Sequence, residues 1–258
     1  YVTVCSSGTA ALHLAFLSLN IKKNDIVIVP NINFIASFNM LTEIGAKIII
    51  CDTDKYTGQI CLSSLSKILS SKKNIKALIT MYLGGVPKNI DKLIELKKKY
   101  QFIVIEDSCH AFGSNYEYRG NEYMIGSCKY FECSIFSFHA LKTITTGEGG
   151  AISFKYKNTY NKSKILRSHG IVKKNHWNYD VIYKGYNYRM DEISATLGKS
   201  QLKNIGKIIK KRRKLSLLYN KLLNNSSELL STIFSDNEIK NSSCHLYFIK
   251  VNFKKTKI

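Results

Sequence analysis

Short apolar runs alternate with longer stretches of mixed character along most of this chain, and their spacing predicts its elements. Residues 2–5 (VTVC) predict a strand. SSGT at 6–9 then leads into AALHLAFLSL, whose nearly continuous apolar positions predict a buried helix. DIVIVP at 25–30 predicts a second buried strand, and the segment opening at 33–37 predicts the next helix. Strands are expected at 46–51, 75–81 and 102–105, with helices at about 63–69 and 90–100, the last amphipathic with its lysines outward. Apolar runs at 133–138 and 151–154 predict two more strands. Beyond them, 191–202 predicts a helix with an apolar stripe at Ile193, Ala195, Leu197 and Leu202. Residues 203–223 predict a long basic helix, and HLYFIKVNF at 245–253 alternates as a strand. This succession of strand and helix predicts an α/β fold with a mostly parallel sheet covered on both faces. Ligands of such sheets bind at the carboxyl ends of the strands. Residues 1–202 read as a large domain, and 203–258 as a connecting helix and the start of a smaller lobe.

Composition narrows the class. A 258-residue chain with 45% hydrophobic and 22% charged residues folds as a globular protein. No apolar run has the length of a membrane span, and the opening YVTVCSSGTA lacks the pattern of a signal peptide, so a cytoplasmic protein is expected. The chain starts without Met and stops abruptly at VNFKKTKI, which predicts a fragment lacking a segment before Tyr1 and most of a C-terminal lobe. Seven cysteines form no CxxC pair and read as reduced, mostly buried thiols, with no metal site among them. A net charge of +21 allows nucleic-acid binding, but the lysines are spread widely and no nucleic-acid motif accompanies them. A solvated basic surface, or a phosphate-bearing substrate, fits the charge as well.

Candidate chemistry gathers around Lys142, set among small and hydroxylated residues in SIFSFHALKTITTGEGG at 134–150. A lysine at the end of a buried strand loses solvation, which favours a nucleophilic amine able to bond to an aldehyde such as that of pyridoxal 5'-phosphate (PLP). Taken alone, the position reads equally as a solvated or ion-paired lysine. Ser7, Gly8, Thr9 and Ala10 stand where a strand gives way to a helix, a place where free N–H groups and the helix dipole hold a phosphate. An ordinary capped helix start reads the same way. Asp107 follows an apolar strand and is placed to pair with a protonated pyridine nitrogen, with His110 orienting its carboxylate. A helix N-cap beside a satisfied histidine is the alternative. Phe34, after the second strand, suits either a flat ring's face or the core.

Six blocks between residues 3 and 202 carry a resemblance: SGTAALHLAF, VIVPNINFIASFN, IEDSCHAFGS, FSFHALKTITTGEGGA, RSHGI and GYNYRMDEISATLGKSQL. In this order they resemble the PLP-dependent sugar aminotransferases of the DegT/DnrJ/EryC1/StrS family. That resemblance implies the fold type I, aspartate aminotransferase-like architecture and a homodimer with active sites shared between subunits. It implies that Lys142 bonds to the cofactor and shuttles a proton, and that Asp107 pairs with the pyridine nitrogen. His110 stands where members carry glutamine or histidine. Gly8, Thr9, Ala10 and Ser137 would bind the cofactor phosphate, Phe34 would stack on the ring, and Asn187 would reach the phosphate or substrate of the neighbouring subunit. Within the family, the blocks around His110, Lys142, His169 and Asn187 are most similar to UDP-4-amino-4,6-dideoxy-N-acetyl-β-L-altrosamine transaminases of pseudaminic acid biosynthesis. The reaction so implied moves an amino group from L-glutamate to C4 of a nucleotide-linked 4-keto-6-deoxy sugar, with neither nucleic acid nor membrane as partner. PLP-dependent sugar dehydratases of the same family are the nearest rival, and those known carry histidine in place of the lysine. A non-catalytic homologue keeping the fold is a further alternative, against which the Lys142, Asp107 and Ser137 set argues.

Overall fold

The computed structural model describes residues 1–223 and 229–256. Thirteen strands and nine helices follow one another in these segments. They run β1 (Val2–Cys5), α1 (Gly8–Ser18), β2 (Ile26–Pro30), α2 (Ala36–Ile44), β3 (Lys47–Cys51), α3 (Leu62–Ser71), β4 (Ile75–Met81), α4 (Ile90–Tyr100) and β5 (Ile103–Asp107). Next come β6 (Asn115–Tyr118), β7 (Asn121–Met124), β8 (Cys133–Ser137), β9 (Gly150–Phe154), α5 (Lys157–Arg167), β10 (Ile171–Lys173) and β11 (Tyr179–Val181). The remainder is α6 (Glu192–Lys203), α7 (Ile205–Leu223), β12 (Leu230–Thr232), α8 (Asp236–Lys240), β13 (Ile249–Val251) and α9 (Phe253–Thr256).

One seven-stranded sheet, ordered β1-β9-β8-β5-β4-β2-β3, forms the centre. β2, β3, β4, β5 and β8 pair in parallel, while β9 runs antiparallel to both its neighbours. Successive strand residues point to opposite faces, and both faces are dry. Val27, Val29, Ala77, Ile79, Ile105 and Ile135 pack beneath α1 on one face. Ile28, Leu78, Val104 and Phe136 share the other face's cluster with Leu65 and Leu69 of α3 and Leu93 and Ile94 of α4. α1 packs against α2 and α5 as well as the sheet, which explains a sequence apolar on every side. Its Leu12, Leu14 and Phe16 are at most 2% exposed, burial that contributes roughly 1.5–3 kcal/mol each.

The structure departs from the sequence pattern in five places. α5 buries Ser163 and Leu166 alone, so no helical period marks it, and the strands of the hairpins β6/β7 and β10/β11 are only three or four residues long, too short for alternation to announce them. The strand predicted over 245–253 is realised as β13 alone, because the backbone before it is claimed elsewhere. The N–H of His245 donates to the Gly84 carbonyl, and Arg212 of α7 donates to the carbonyls of Cys244 and His245 at 3.3 and 3.2 Å. The stripe on α6 is not buried: Ile193 is 85% exposed and Leu197 41%. No helix among the described residues is long and apolar enough to cross a membrane.

Candidate active site

Strand alternation decides which of two adjacent acids enters the site. Asp107 lies at the carboxyl end of β5, opposite Ile135 of β8, on the sheet face that α1 covers. Glu106 points to the opposite face, where its carboxylate accepts from the Tyr82 hydroxyl at 2.5 Å and from the Ser134 hydroxyl. Burial raises the Glu106 carboxyl to about 7, against the pull of those two hydroxyls.

Asp107 is 3% exposed, and its Oδ1 accepts the N–H of Cys109 at 3.2 Å. Burial pushes its carboxyl above the ordinary range, while the bonds from Cys109 and the charge of Lys142 act against that rise. Among the described residues Asp107 has no ion pair within 4.0 Å. The turn following β5 is not an α-helix, so the N-cap reading of Asp107 falls.

Lys142 sits five residues past β8, in a turn that its own N–H closes onto the His139 carbonyl at 2.9 Å. It is half-buried, beyond the strand end and not on it. Its charge acts on Asp107, Cys109, His110 and His245 alike, which marks the groups it faces.

The start of α1 supplies the anion site. Ser7 is the N-cap, extended at φ −164°, and its hydroxyl accepts the Ala10 N–H at 3.0 Å. Ala11 closes onto the Ser7 carbonyl, so among the described residues the N–H groups of Gly8 and Thr9 stay open at the helix N-terminus. Ala10, expected with them, has its N–H engaged by the cap. A Cβ on Gly8 would stand 2.9 Å from the Ser137 Cβ and 3.2 Å from its Oγ, so glycine is what lets the helix start meet the end of β8.

Phe34 is 69% exposed on the loop after β2, with its N–H held by the Asn33 side chain, and the core reading of this ring is set aside. Asn187 is exposed between two inward tyrosines. Tyr186 and Tyr188 stack at 5.0 Å, Tyr188 bonds to the buried His13 at 3.2 Å, and the Tyr188 carbonyl takes the Ser6 N–H at 2.9 Å. That register fixes Asn187 beside the start of α1 and turns it outward.

His110 does not orient Asp107: among the described residues no hydrogen bond joins them, and the Cys109 backbone does that work. The His110 ring instead packs against His245, centroids 4.5 Å apart. Burial and the nearby charge of Lys142 lower His110 to about 3 and His245 to about 4, so both are neutral imidazoles near pH 7. Their Nδ1 atoms, with the hydroxyls of Ser108 and Thr143, are buried without hydrogen-bond partners. His245 was not legible as a site residue, because the contact joins segments 135 positions apart. Gly85 makes the meeting possible: at φ +94° it passes so close that a Cβ would stand 2.3 Å from the His110 carbonyl oxygen.

An open helix N-terminus beside Ser137, a buried carboxylate lacking a cation, and a lysine facing it fit a flat phosphorylated pyridine such as PLP. The unpartnered hydroxyls of Ser108 and Thr143 and the Nδ1 of His110 are hydrogen-bonding groups such a cofactor could use. Fold and site together define a class: an open α/β sheet built to hold such a cofactor at the carboxyl ends of its parallel strands. The chain belongs to the DegT/DnrJ/EryC1/StrS aminotransferase family, whose model matches residues 1–258. It is 38% identical over 248 residues to a UDP-4-amino-4,6-dideoxy-N-acetyl-β-L-altrosamine transaminase of Campylobacter jejuni, covering 96% of this chain and 63% of that protein. It superposes on Helicobacter pylori PseC, an aminotransferase involved in pseudaminic acid biosynthesis, with a TM-score of 0.87 and 31% identity over 100% of this chain and 68% of the other. Spr1654 from Streptococcus pneumoniae in its PLP form gives a TM-score of 0.83 at 28% identity, covering 97% and 66%. The chain thus spans about three fifths of the length of the Campylobacter relative.

Proposed function

We propose that this chain is the cofactor-binding part of a PLP-dependent aminotransferase that moves an amino group from L-glutamate to C4 of a nucleotide-linked 4-keto-6-deoxy sugar. The UDP-linked sugar is the substrate this reading favours, in line with the name of the similar Campylobacter transaminase, and surface-glycan or flagellin-sugar biosynthesis is the setting it suggests. The observation that carries it is the convergence of Lys142, buried Asp107 and the Gly8–Ser137 contact on one sheet edge. When bound, PLP supplies an electron-withdrawing ring that takes up an amino group from one substrate and releases it to the next.

The chain's own residues divide the remaining work. Gly8 and Thr9 N–H groups, the α1 dipole and the Ser137 hydroxyl hold the phosphate. Asp107 would pair with the ring nitrogen and hold a proton there, which would offset the cost of its burial. Lys142 would hold the cofactor through its aldehyde group and would carry a proton during the amino transfer. Phe34 would stack on the cofactor ring, and His110, neutral and unbonded at Nδ1, would help hold it. Asn187 reaches across to the phosphate or substrate of a second subunit in a homodimer with shared sites. Residues 1–202 serve as the large domain and 203–258 as the connector and the beginning of the small one. Seven free cysteines support a reducing, cytoplasmic setting.

The test is formation of 2-oxoglutarate from L-glutamate on mixing with a UDP-4-keto-6-deoxy sugar and, separately, its dTDP counterpart. Turnover with the UDP sugar is expected; turnover with neither, in protein that binds PLP, contradicts the assignment of substrate.

A further inference from the structure

The loop that carries Lys142 is closed at its base and held from one side by α6. Phe138, the first residue past β8, donates its N–H to the Gly149 carbonyl at 2.8 Å. Its own carbonyl accepts the Thr146 N–H at 2.9 Å and the Thr145 hydroxyl at 3.2 Å. Thr143, Ile144 and Thr146 are at most 5% exposed, so the limb running from Lys142 back to the sheet is packed inside the chain. Both ends of the Thr146 side chain are engaged. Its hydroxyl donates to the Glu148 carbonyl at 2.5 Å, and its methyl meets Gly198 of α6. A Cβ at Gly198 would stand 2.6 Å from the Thr146 Cγ2, well inside contact distance, so glycine is what lets α6 lie against this limb.

The approach to α6 is tied to the turn before α1. Asp191 caps α6 by accepting the Ser194 N–H at 2.8 Å. Three residues earlier, the Tyr188 carbonyl accepts the Ser6 N–H at 2.9 Å and the Tyr188 N–H donates to the Arg167 carbonyl at 3.0 Å. Met190, between them, reaches the loop as well: a Cβ on Gly149 would stand 2.6 Å from its Cε. At its other end α6 runs into α7, whose Ile209 packs so closely on Gly113 that a Cβ there would stand 2.4 Å from the Ile209 Cδ1. α6 is therefore held at both ends, and an added methyl at its midpoint is relieved at Thr146.

We propose that Gly198 and Thr146 are positioning residues that set where Lys142 stands relative to the Gly8 and Thr9 N–H groups. The inference rests on the reading of Lys142 as the residue that holds PLP. A cofactor held by its phosphate at α1 and by its aldehyde group at Lys142 fixes the span between the two, and small errors in such a span are costly. A displaced Thr146 carries Phe138 with it through their hydrogen bond, and reaches Lys142 along the buried Thr143 and Ile144.

The test is a pair of compensating changes. Gly198→Ala adds a methyl group, and Thr146→Ser removes the one it meets while keeping the hydroxyl. In the whole chain with PLP, Gly198→Ala should move the pH midpoint of the PLP absorbance band by about half a unit and lower PLP affinity about tenfold. The double variant should return both toward the parent. If Gly198 mattered only as a helix residue the sign would reverse, because alanine suits a helix interior better than glycine. A raised urea midpoint in Gly198→Ala with an unmoved band overturns the proposal, as does a double variant no closer to the parent than Gly198→Ala. Without PLP, reductive methylation read lysine by lysine by mass spectrometry should show the Lys142 rate changed about twofold or more in Gly198→Ala and restored in the double variant. An unchanged Lys142 rate overturns the proposal. That readout needs no cofactor, so a parent chain lacking the PLP band would count against the proposed function and leave this test standing.

Discussion

At the scale of single residues, the site depends on contacts that one substitution removes. Lys142→Ala leaves the fold intact, since the side chain is half-buried and outside the sheet; it should abolish the PLP absorbance band and lower turnover at least about 10³-fold. Turnover by that variant within about tenfold of the parent would contradict the role given to Lys142. Gly8→Ala places a methyl group 2.9 Å from the Ser137 Cβ, inside normal contact. Overpacking of this kind costs about 1–3 kcal/mol, so PLP affinity by fluorescence titration should fall roughly tenfold or more with far-ultraviolet circular dichroism unchanged. Lys142 and Asp107 stood out in the sequence because Asp107 ends an apolar run and Lys142 follows one among small and hydroxylated residues. Local sequence could not reveal that the Ala10 N–H is taken by Ser7, or that His110 faces His245 and not Asp107.

At the scale of elements, β5 does two jobs with neighbouring acids. Its alternation turns Asp107 to the α1 face and Glu106 to the α3/α4 face. The Glu106 carboxyl, raised from 4.5 to about 7 by burial, holds a proton in the folded chain over a window in which the unfolded chain has lost it. Its contribution to stability is therefore present at low pH and is lost as pH rises through about 7. Glu106→Gln keeps the shape and removes the titration, so its stability relative to the parent should increase between pH 4.5 and about 7 when followed by urea unfolding. A constant difference across that range would show that Glu106 does not titrate there. His110 and His245, neutral when folded, have the opposite sign: their contribution is complete above 6.5 and is lost as pH falls toward about 3 and 4. The main strands were predictable because buried parallel strands are continuously apolar. α5 and the small hairpins were not, because α5 buries only Ser163 and Leu166 and the hairpin strands are only three or four residues long.

At the scale of the whole molecule, part of the basic charge has a structural role. Arg212 and Arg213 of α7 hold the 242–245 segment by its carbonyls, Arg213 donating to Ser242 at 2.7 Å. The exposed Ile193, Leu197 and Leu202 of α6 suit the proposed dimer better than open solvent. Ile193→Asp, at a position 85% exposed, should halve the mass seen by sedimentation if that face joins two copies of the 29.4 kDa chain, and an unchanged mass would place the interface elsewhere. The strand pattern placed the sheet, and the sheet placed the site at its carboxyl edge; the exposure of α6 emerged only from tertiary packing. The most direct measurement is the near-ultraviolet and visible absorbance of the chain with PLP, before and after L-glutamate. A yellow band in the parent, absent in Lys142→Ala and shifted to shorter wavelength by glutamate, is the predicted result. Equal spectra for the parent and Lys142→Ala would contradict the central claim that Lys142 and Asp107 frame a cofactor site.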